Sequence, residues 1–404
     1  MDKEYIDDKL KSIFVGTLIV FLATFAISYQ EADTVDFLAH TEWALKLNRY
    51  IFDYMIQYIS YPLWHLVVKI IYKVFCFNIV TSVAGATAIF NCIAFWSIVY
   101  SWDFLSNKPT NFNTKVFWAI FILLMGPLYA PGFNNRYYLG QGTGNIWHSP
   151  THIAVKGFAV LCFVWIVRLV NQEVEHRKWE YFLLSVLLFL SALAKPSFLQ
   201  AMIPGFCLYF IYELLCNLKD GGAWKCRACA IHFGRIAVMF IPSIFLLGSQ
   251  FVLNFMVDTS IHHAEGIGVS YGAVLSEWSD NLFVSLLLAL AFPLFVLLID
   301  AKHLFKDTSV KLAVCYGLCG WLEAAFLFEN GIRKKHGNWT WGWNISLFVI
   351  WMLFIIKYID IIRDATVSSK KRMVCLCLGM PILFFHVIFG IGYIVLILRG
   401  VIVS

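Results

Sequence analysis

The sequence predicts an all-α fold, a polytopic transmembrane helix bundle of about eleven spans, and three observations predict it. Of 404 residues, 60% are hydrophobic and only 14% are charged, with a mean hydropathy of +0.73; soluble domains carry about 25% charged residues. The apolar residues come in runs near the roughly 20 residues that a helix needs to cross the hydrocarbon. The net charge of +6 is spread over many short segments rather than pooled, which argues against a nucleic-acid partner. The same numbers exclude disordered, collagen-like and coiled-coil classes.

The first run, 12–28, follows a charged mixture with no small-residue cleavage site, so it is expected to stay as an anchor. Further runs follow at 79–100, 115–130, 151–170, 181–194, 198–215, 236–256, 282–298, 312–328, 345–361 and 373–398, which makes eleven spans in all. Segment 62–75 is also apolar, but it is short and carries His65, Lys69 and Lys73 at i, i+4 and i+8, on one helical face. Leu66, Val67, Ile70, Ile71 and Val74 fill the other face, which predicts a helix lying in the membrane interface.

Charge placement tests that choice. With 62–75 on the surface, 20 of the 31 lysines and arginines fall on the side of the N-terminus, which the positive-inside rule makes cytoplasmic. The chain then reads as one integral domain, 1–404, whose first extracytoplasmic loop, 29–78, carries interfacial helices. The eleven cysteines sit mostly in apolar runs and do not form a secreted disulfide framework, and the Cys226–Cys229 pair lacks the second ligand pair of a zinc site.

Candidate chemistry gathers on the outer loops, which hold or border His40, His65, His148, His152, His262, His263 and His336, seven of the eleven histidines. In the first loop Glu31, Asp33 and Asp36 follow the anchor directly, and Asp36 and His40 lie one helical turn apart. A carboxylate held there can act as a general base or bind a divalent cation; Asp33 or Thr34 can equally be a helix N-cap. Segment 134–152 combines three glycines with Arg136, Gln141, Asn145 and His148 as donors and acceptors and Trp147 as a stacking face for a sugar. The alternative is helix termination and an aromatic belt. In the segment from Glu329 to Gly342, Arg333, Lys334, Lys335 and His336 form a basic cluster on the outer side, against the charge rule. A phosphate-bearing ligand explains the exception, with Arg333 the bidentate clamp and Asn338 beside it, and anionic lipid headgroups are the alternative. Lys195, at an outer turn, is a further cation in reach of such a phosphate. Glu323 and His386, within spans, read as structural, Glu323 being close enough to the outer end to join the Arg333 cluster.

The order of elements over roughly the first 200 residues, with an acidic loop after the first span and Tyr61-Pro62-Leu63-Trp64-His65 opening an interfacial helix, resembles the GT-C superfamily of membrane glycosyltransferases. That resemblance implies transfer of a sugar from a polyprenyl-phosphate carrier to a hydroxyl of a glycan or glycolipid acceptor on the extracytoplasmic side. It implies Asp33 and Asp36, with His40, as base or as ligands of Mg or Mn, and Tyr61 and His65 at the substrate. Arg333, Lys334, Lys335, His336 and Lys195 would bind the donor phosphate, so the fold must bring the first and last outer loops together. The sequence lacks a tight pair of acidic residues and a large outer soluble domain, which the superfamily's oligosaccharyltransferases carry. A polysaccharide polymerase or ligase, and a lipid-linked saccharide transporter or flippase, are the alternatives. The expected location is a cell membrane, the bacterial inner membrane, with the N-terminus cytoplasmic.

Overall fold

The computed structural model describes residues 3–133, 141–171, 176–257 and 266–401. Helix α1 (Lys3–Glu31) is followed by three shorter helices, α2 (Val35–Lys46), α3 (Ile51–Gln57) and α4 (Leu63–Val74). Next come α5 (Ile79–Leu105), α6 (Phe112–Leu124), α7 (Pro150–Val170), α8 (Lys178–Ala194), α9 (Ser197–Val238) and α10 (Ile241–Phe255). The chain closes with α11 (Leu282–Leu304), α12 (Thr308–Phe326), α13 (Thr340–Arg363), α14 (Ser369–Val374) and α15 (Met380–Leu398), the last two joined by a π-helical turn, Cys375–Gly379. Two three-residue strands, β1 (Ile267–Val269) and β2 (Leu327–Glu329), pair antiparallel, Ile267 opposite Glu329.

Each of the eleven predicted runs overlaps at least one of these helices, though 115–130 and 312–328 run on past a helix end, and the protein is an all-α polytopic membrane bundle. Eight helices are long and apolar enough to span, while α6, α8 and α10 are shorter, at 13, 17 and 15 residues. Helix α9 is two arms that reverse at Gly222, whose φ of 67° and ψ of −161° only glycine adopts readily. Phe206 and Phe210 on the first arm pack on Phe233 of the second, so the two arms run antiparallel. Helix α13 is buried nearly all round against α12, α9, α11 and α7, as a helix apolar on every face must be.

Run 115–130 is a correction: its helix ends at Leu124, and from Met125 the chain is extended, opening into Gly126 and Pro127. Unpaired backbone groups are costly at membrane depth unless protein satisfies them. Here α15 and α11 do so: Gly126 N–H donates to the His386 carbonyl (2.8 Å), His386 Nδ1 donates to the Gly126 carbonyl (2.7 Å), and Leu128 N–H donates to the Leu288 carbonyl (3.3 Å). A Cβ on Gly126 would come within 2.8 Å of Gly390 Cα, so the glycine pair sets this approach. His386 is therefore structural, as its sequence setting suggests.

Helix α4 carries a second correction. Its buried face is Trp64, His65, Val68 and Ile71, so His65 turns inward instead of sharing the polar face of Lys69 and Lys73. Ile70 and Val74 remain exposed, as an interfacial helix resting on apolar surroundings requires.

Candidate functional site

The end of the bundle opposite the N-terminus gathers the polar residues of the first loop. Helix α2 starts at Thr34, whose backbone is extended like an N-cap but whose hydroxyl bonds back to the Glu31 carbonyl (2.7 Å) and carboxylate (3.0 Å) instead of capping. Asp33 is exposed on that turn. Asp36, in the first turn of α2 where the helix dipole favours an anion, puts Oδ1 3.7 Å from His40 Nε2. His40 Nδ1 in turn lies 3.0 Å from His65 Nε2 on α4. Phe37 packs edge-on against Trp64, and Trp64 Nε1 donates to Thr87 of α5, which fixes the two short helices on the bundle.

Facing them is Lys195 in the turn between α8 and α9, only 6% exposed. Its Nζ donates to Thr151 Oγ1 (3.3 Å) and sits 3.5 Å above the Trp341 ring. Burial pulls the Lys195 ammonium down to a pKa of about 8, and Asp36 opposes that pull. Burial likewise holds His40 and His148 at about 4, with Asp36 raising and Lys195 lowering both, so these four groups share one electrostatic neighbourhood.

The first and later outer loops meet through α10. Asn254 Nδ2 donates to Ser60 Oγ (3.0 Å), Gln250 donates to the Ser60 carbonyl (3.0 Å), and Arg333 donates to the Asn254 carbonyl (3.1 Å). Next to Ser60, burial pushes the Tyr61 hydroxyl above its usual pKa, Asp36 and Glu329 add to that, and Arg333 opposes it. Asp36, Tyr61 and Arg333 thus come together although far apart in sequence.

Other expected contributors are placed differently. Arg333 Nε pairs with Glu329 (3.1 Å), and Asn338 donates to the same carboxylate (2.9 Å), so this cation already has a counter-charge. Lys334 lies over the Phe328 ring (5.6 Å). The side chains of Lys335 and His336 lie outside the described residues, as do Arg136, His262 and His263. Gln141 donates to the Leu128 carbonyl and Asn145 to the Ile122 and Met125 carbonyls, so both hold the extended segment after α6. Trp147 is buried among Ile27, Tyr393 and Ile397 and offers no face to a sugar. His148 Nδ1 lies 2.6 Å from the Tyr393 hydroxyl. A Cβ on Gly142 would come 2.5 Å from Trp343 Nε1, and one on Gly144 2.7 Å from Phe348 Cα. These glycines admit α13, not a ligand.

The residues do not fit a divalent-cation site at Asp33 and Asp36. Among the described residues no three His, Cys, Asp or Glu side chains converge on one point, and Asp36 faces a histidine whose other nitrogen is engaged.

Three contributors went unassigned in the sequence reading: Trp341, which covers Lys195, Thr151, and Lys156. Lys156, fully buried in α7, donates to Asn145 Oδ1 (3.2 Å) between the Trp147 and Phe348 rings (5.4 and 5.3 Å). An ionisable residue inside an otherwise apolar span was a legible signal. No protein-family model matches this chain, and none of the curated proteins matches it.

Proposed function

We propose that this membrane protein is a glycosyltransferase that moves a sugar from a polyprenyl-phosphate carrier to a hydroxyl of a glycan or glycolipid acceptor, at the end of the bundle that carries Asp36. The observation that supports it most is Lys195, a buried cation with no carboxylate at ion-pair distance among the described residues, facing the Asp36–His40 pair. A buried charge that is not paired is costly, and an anionic ligand such as a lipid phosphate supplies the missing partner.

In this reading Asp36 takes the proton of the acceptor hydroxyl, the oxygen attacks the anomeric carbon, and the carbon–oxygen bond to phosphate breaks with its electron pair leaving on the phosphate. That leaving group needs no general acid, because it is already an anion that Lys195 stabilises at close range. Arg333, balanced by Glu329, ties the later outer loop to the Tyr61 segment. In this reading the membrane is the bacterial inner membrane, and the charge distribution along the sequence supports a cytoplasmic N-terminus.

One pair of observations favours a transporter of lipid-linked saccharide instead: the extended segment after α6 at membrane depth, and the Glu323 Oε2 atom buried in α12 without a partner. The deciding experiment offers purified protein a panel of polyprenyl-phosphate sugars and measures release of polyprenyl phosphate by wild type, Asp36→Asn and Lys195→Met. Release that both substitutions abolish in folded protein supports the transferase. No release from any donor, with movement of a phospho-glycolipid across reconstituted vesicles, replaces it with the transporter.

A further inference from the structure

The contact between His40 and His65 carries information about protons that the heavy atoms alone do not give. Two neutral imidazoles can share a hydrogen bond only if one donates and the other accepts. Burial lowers both histidines well below the ordinary imidazole range, so both are neutral at pH 7. His65 is completely buried, and its Nδ1 has no hydrogen-bond partner.

If His65 carried its proton on Nδ1, a buried N–H would be left without an acceptor, and an orphan donor is rarer than an orphan acceptor in folded proteins. Its proton therefore sits on Nε2 and is donated across the 3.0 Å contact to His40 Nδ1. His40 must then be protonated on Nε2, the nitrogen 3.7 Å from the Asp36 carboxylate. Both ends of the chain agree, since the opposite tautomers would set a bare His40 lone pair against an anion. The groups facing His40 are Asp36 on its own helix, His65 and Trp64 on α4, Trp43 edge-on at 5.0 Å, and the Lys195 charge.

We infer that His65 is a positioning residue that locks the tautomer of His40, so that His40 offers Asp36 an N–H and the carboxylate, not the imidazole, is the base at this site. The tautomer stands by itself, and only the word base rests on the proposed function. In the reaction Asp36 gains the acceptor's proton while the two imidazoles keep theirs, and His40 N–H orients the carboxylate oxygen that is not reacting.

The test is the nitrogen NMR spectrum of protein labelled with ¹⁵N-histidine in detergent at pH 7.5, with His40 assigned by its loss in His40→Gln. The expected spectrum has His40 protonated on Nε2 and bare on Nδ1. His65→Gln, whose amide N–H can replace the donor, keeps that pattern; His65→Glu, which as a carboxylate can only accept, puts a proton on His40 Nδ1. In the donor-release assay His65→Glu lowers kcat by about 100-fold with little change in KM, and His65→Gln restores most of it. A wild-type His40 protonated on Nδ1 overturns the inference, and that spectrum, with His40 assigned from His40→Gln, decides even if the His65 variants fail to fold. The expected spectrum without release from any donor upholds the lock and removes the transferase reading alone.

Discussion

The two ends of the bundle treat buried cations in opposite ways. At the N-terminal end, among the described residues, buried Lys115 and Lys357 and half-buried Arg168 and Lys311 are matched to carboxylates: Lys115 with Asp103, Arg168 with Glu180 (2.7 Å), Lys311 with Glu213 (2.7 Å) and Lys357 with Asp307 (2.5 Å). Asp360 accepts from Ser106 and from the Asn107 backbone, and Lys371 reaches Asp300, so these pairs join helices α5, α11, α13 and α14. At the other end Lys195 and Lys156 lean on aromatic rings, a hydroxyl and an amide, while Arg333 holds a carboxylate. Paired charges roughly break even against burial, whereas an unpaired one is a standing cost. The first end is therefore bracing, and the second leaves Lys195 without a counter-charge among the described residues, the feature on which the proposed function rests.

The largest expected effect separates the ends by substitution. Lys195→Met lowers donor turnover by about 100-fold or more while leaving the detergent melting temperature equal or higher, since it removes an unpaired buried cation. Lys357→Met does the reverse: it strands Asp307 without its cation and lowers stability by about 3–5 kcal/mol, read by thermal unfolding. Loss of melting temperature in both variants would erase the distinction.

Next in size is a divergence with pH. Lys195 has a pKa of about 8 in the fold, because burial outweighs the attraction of Asp36, against about 10.4 in an unfolded chain. The folded state thus binds this proton more weakly, so the destabilisation is complete below about 8 and fades as pH rises from there towards 10.4. Donor binding needs the ammonium and falls as pH rises through about 8. Titrations of melting temperature and of donor KM should move favourably and unfavourably, respectively, over that window, and Lys195→Met should flatten both.

Smaller still is the contrast within the first loop. Asp36→Asn removes the base and costs about 100-fold in kcat, whereas Asp33→Asn, on an exposed turn, changes kcat by less than about threefold, measured in the same release assay. The smallest effect belongs to Glu329→Gln, which loosens Arg333 and Asn338 and weakens the link to α10 by about 1–2 kcal/mol, read as earlier proteolysis of the loop around β2.

Much of the fold was legible because it follows from composition and spacing. The eleven apolar runs, the interfacial helix at 62–75 and the Asp36–His40 turn could all be read along the chain, since each depends on neighbours in sequence. Errors arose where distant segments decided. Gly126 leaves the helix because α15 offers carbonyl and imidazole partners that no local pattern announces. Trp147 and the 142–144 glycines resemble a ligand loop by pattern, yet α13 fills the space beside the glycines, and α1 and α15 cover Trp147. His65 shares a helical face with two lysines by spacing, but α4 is seated on α5 through Trp64 and Thr87, with His65 buried against His40.

By itself the sequence determined that this chain is a membrane-embedded helix bundle, because burying apolar surface is a property of each segment taken alone. It also supplied the acids, histidines and cations of the outer loops. Only the tertiary structure decided which of them meet: that Arg333 pairs with Glu329 while Lys195 has no carboxylate partner among the described residues, and that His65 lies against His40. Charge and hydrogen-bond energies depend on distances of a few ångströms, and helix packing sets those distances between residues hundreds of positions apart.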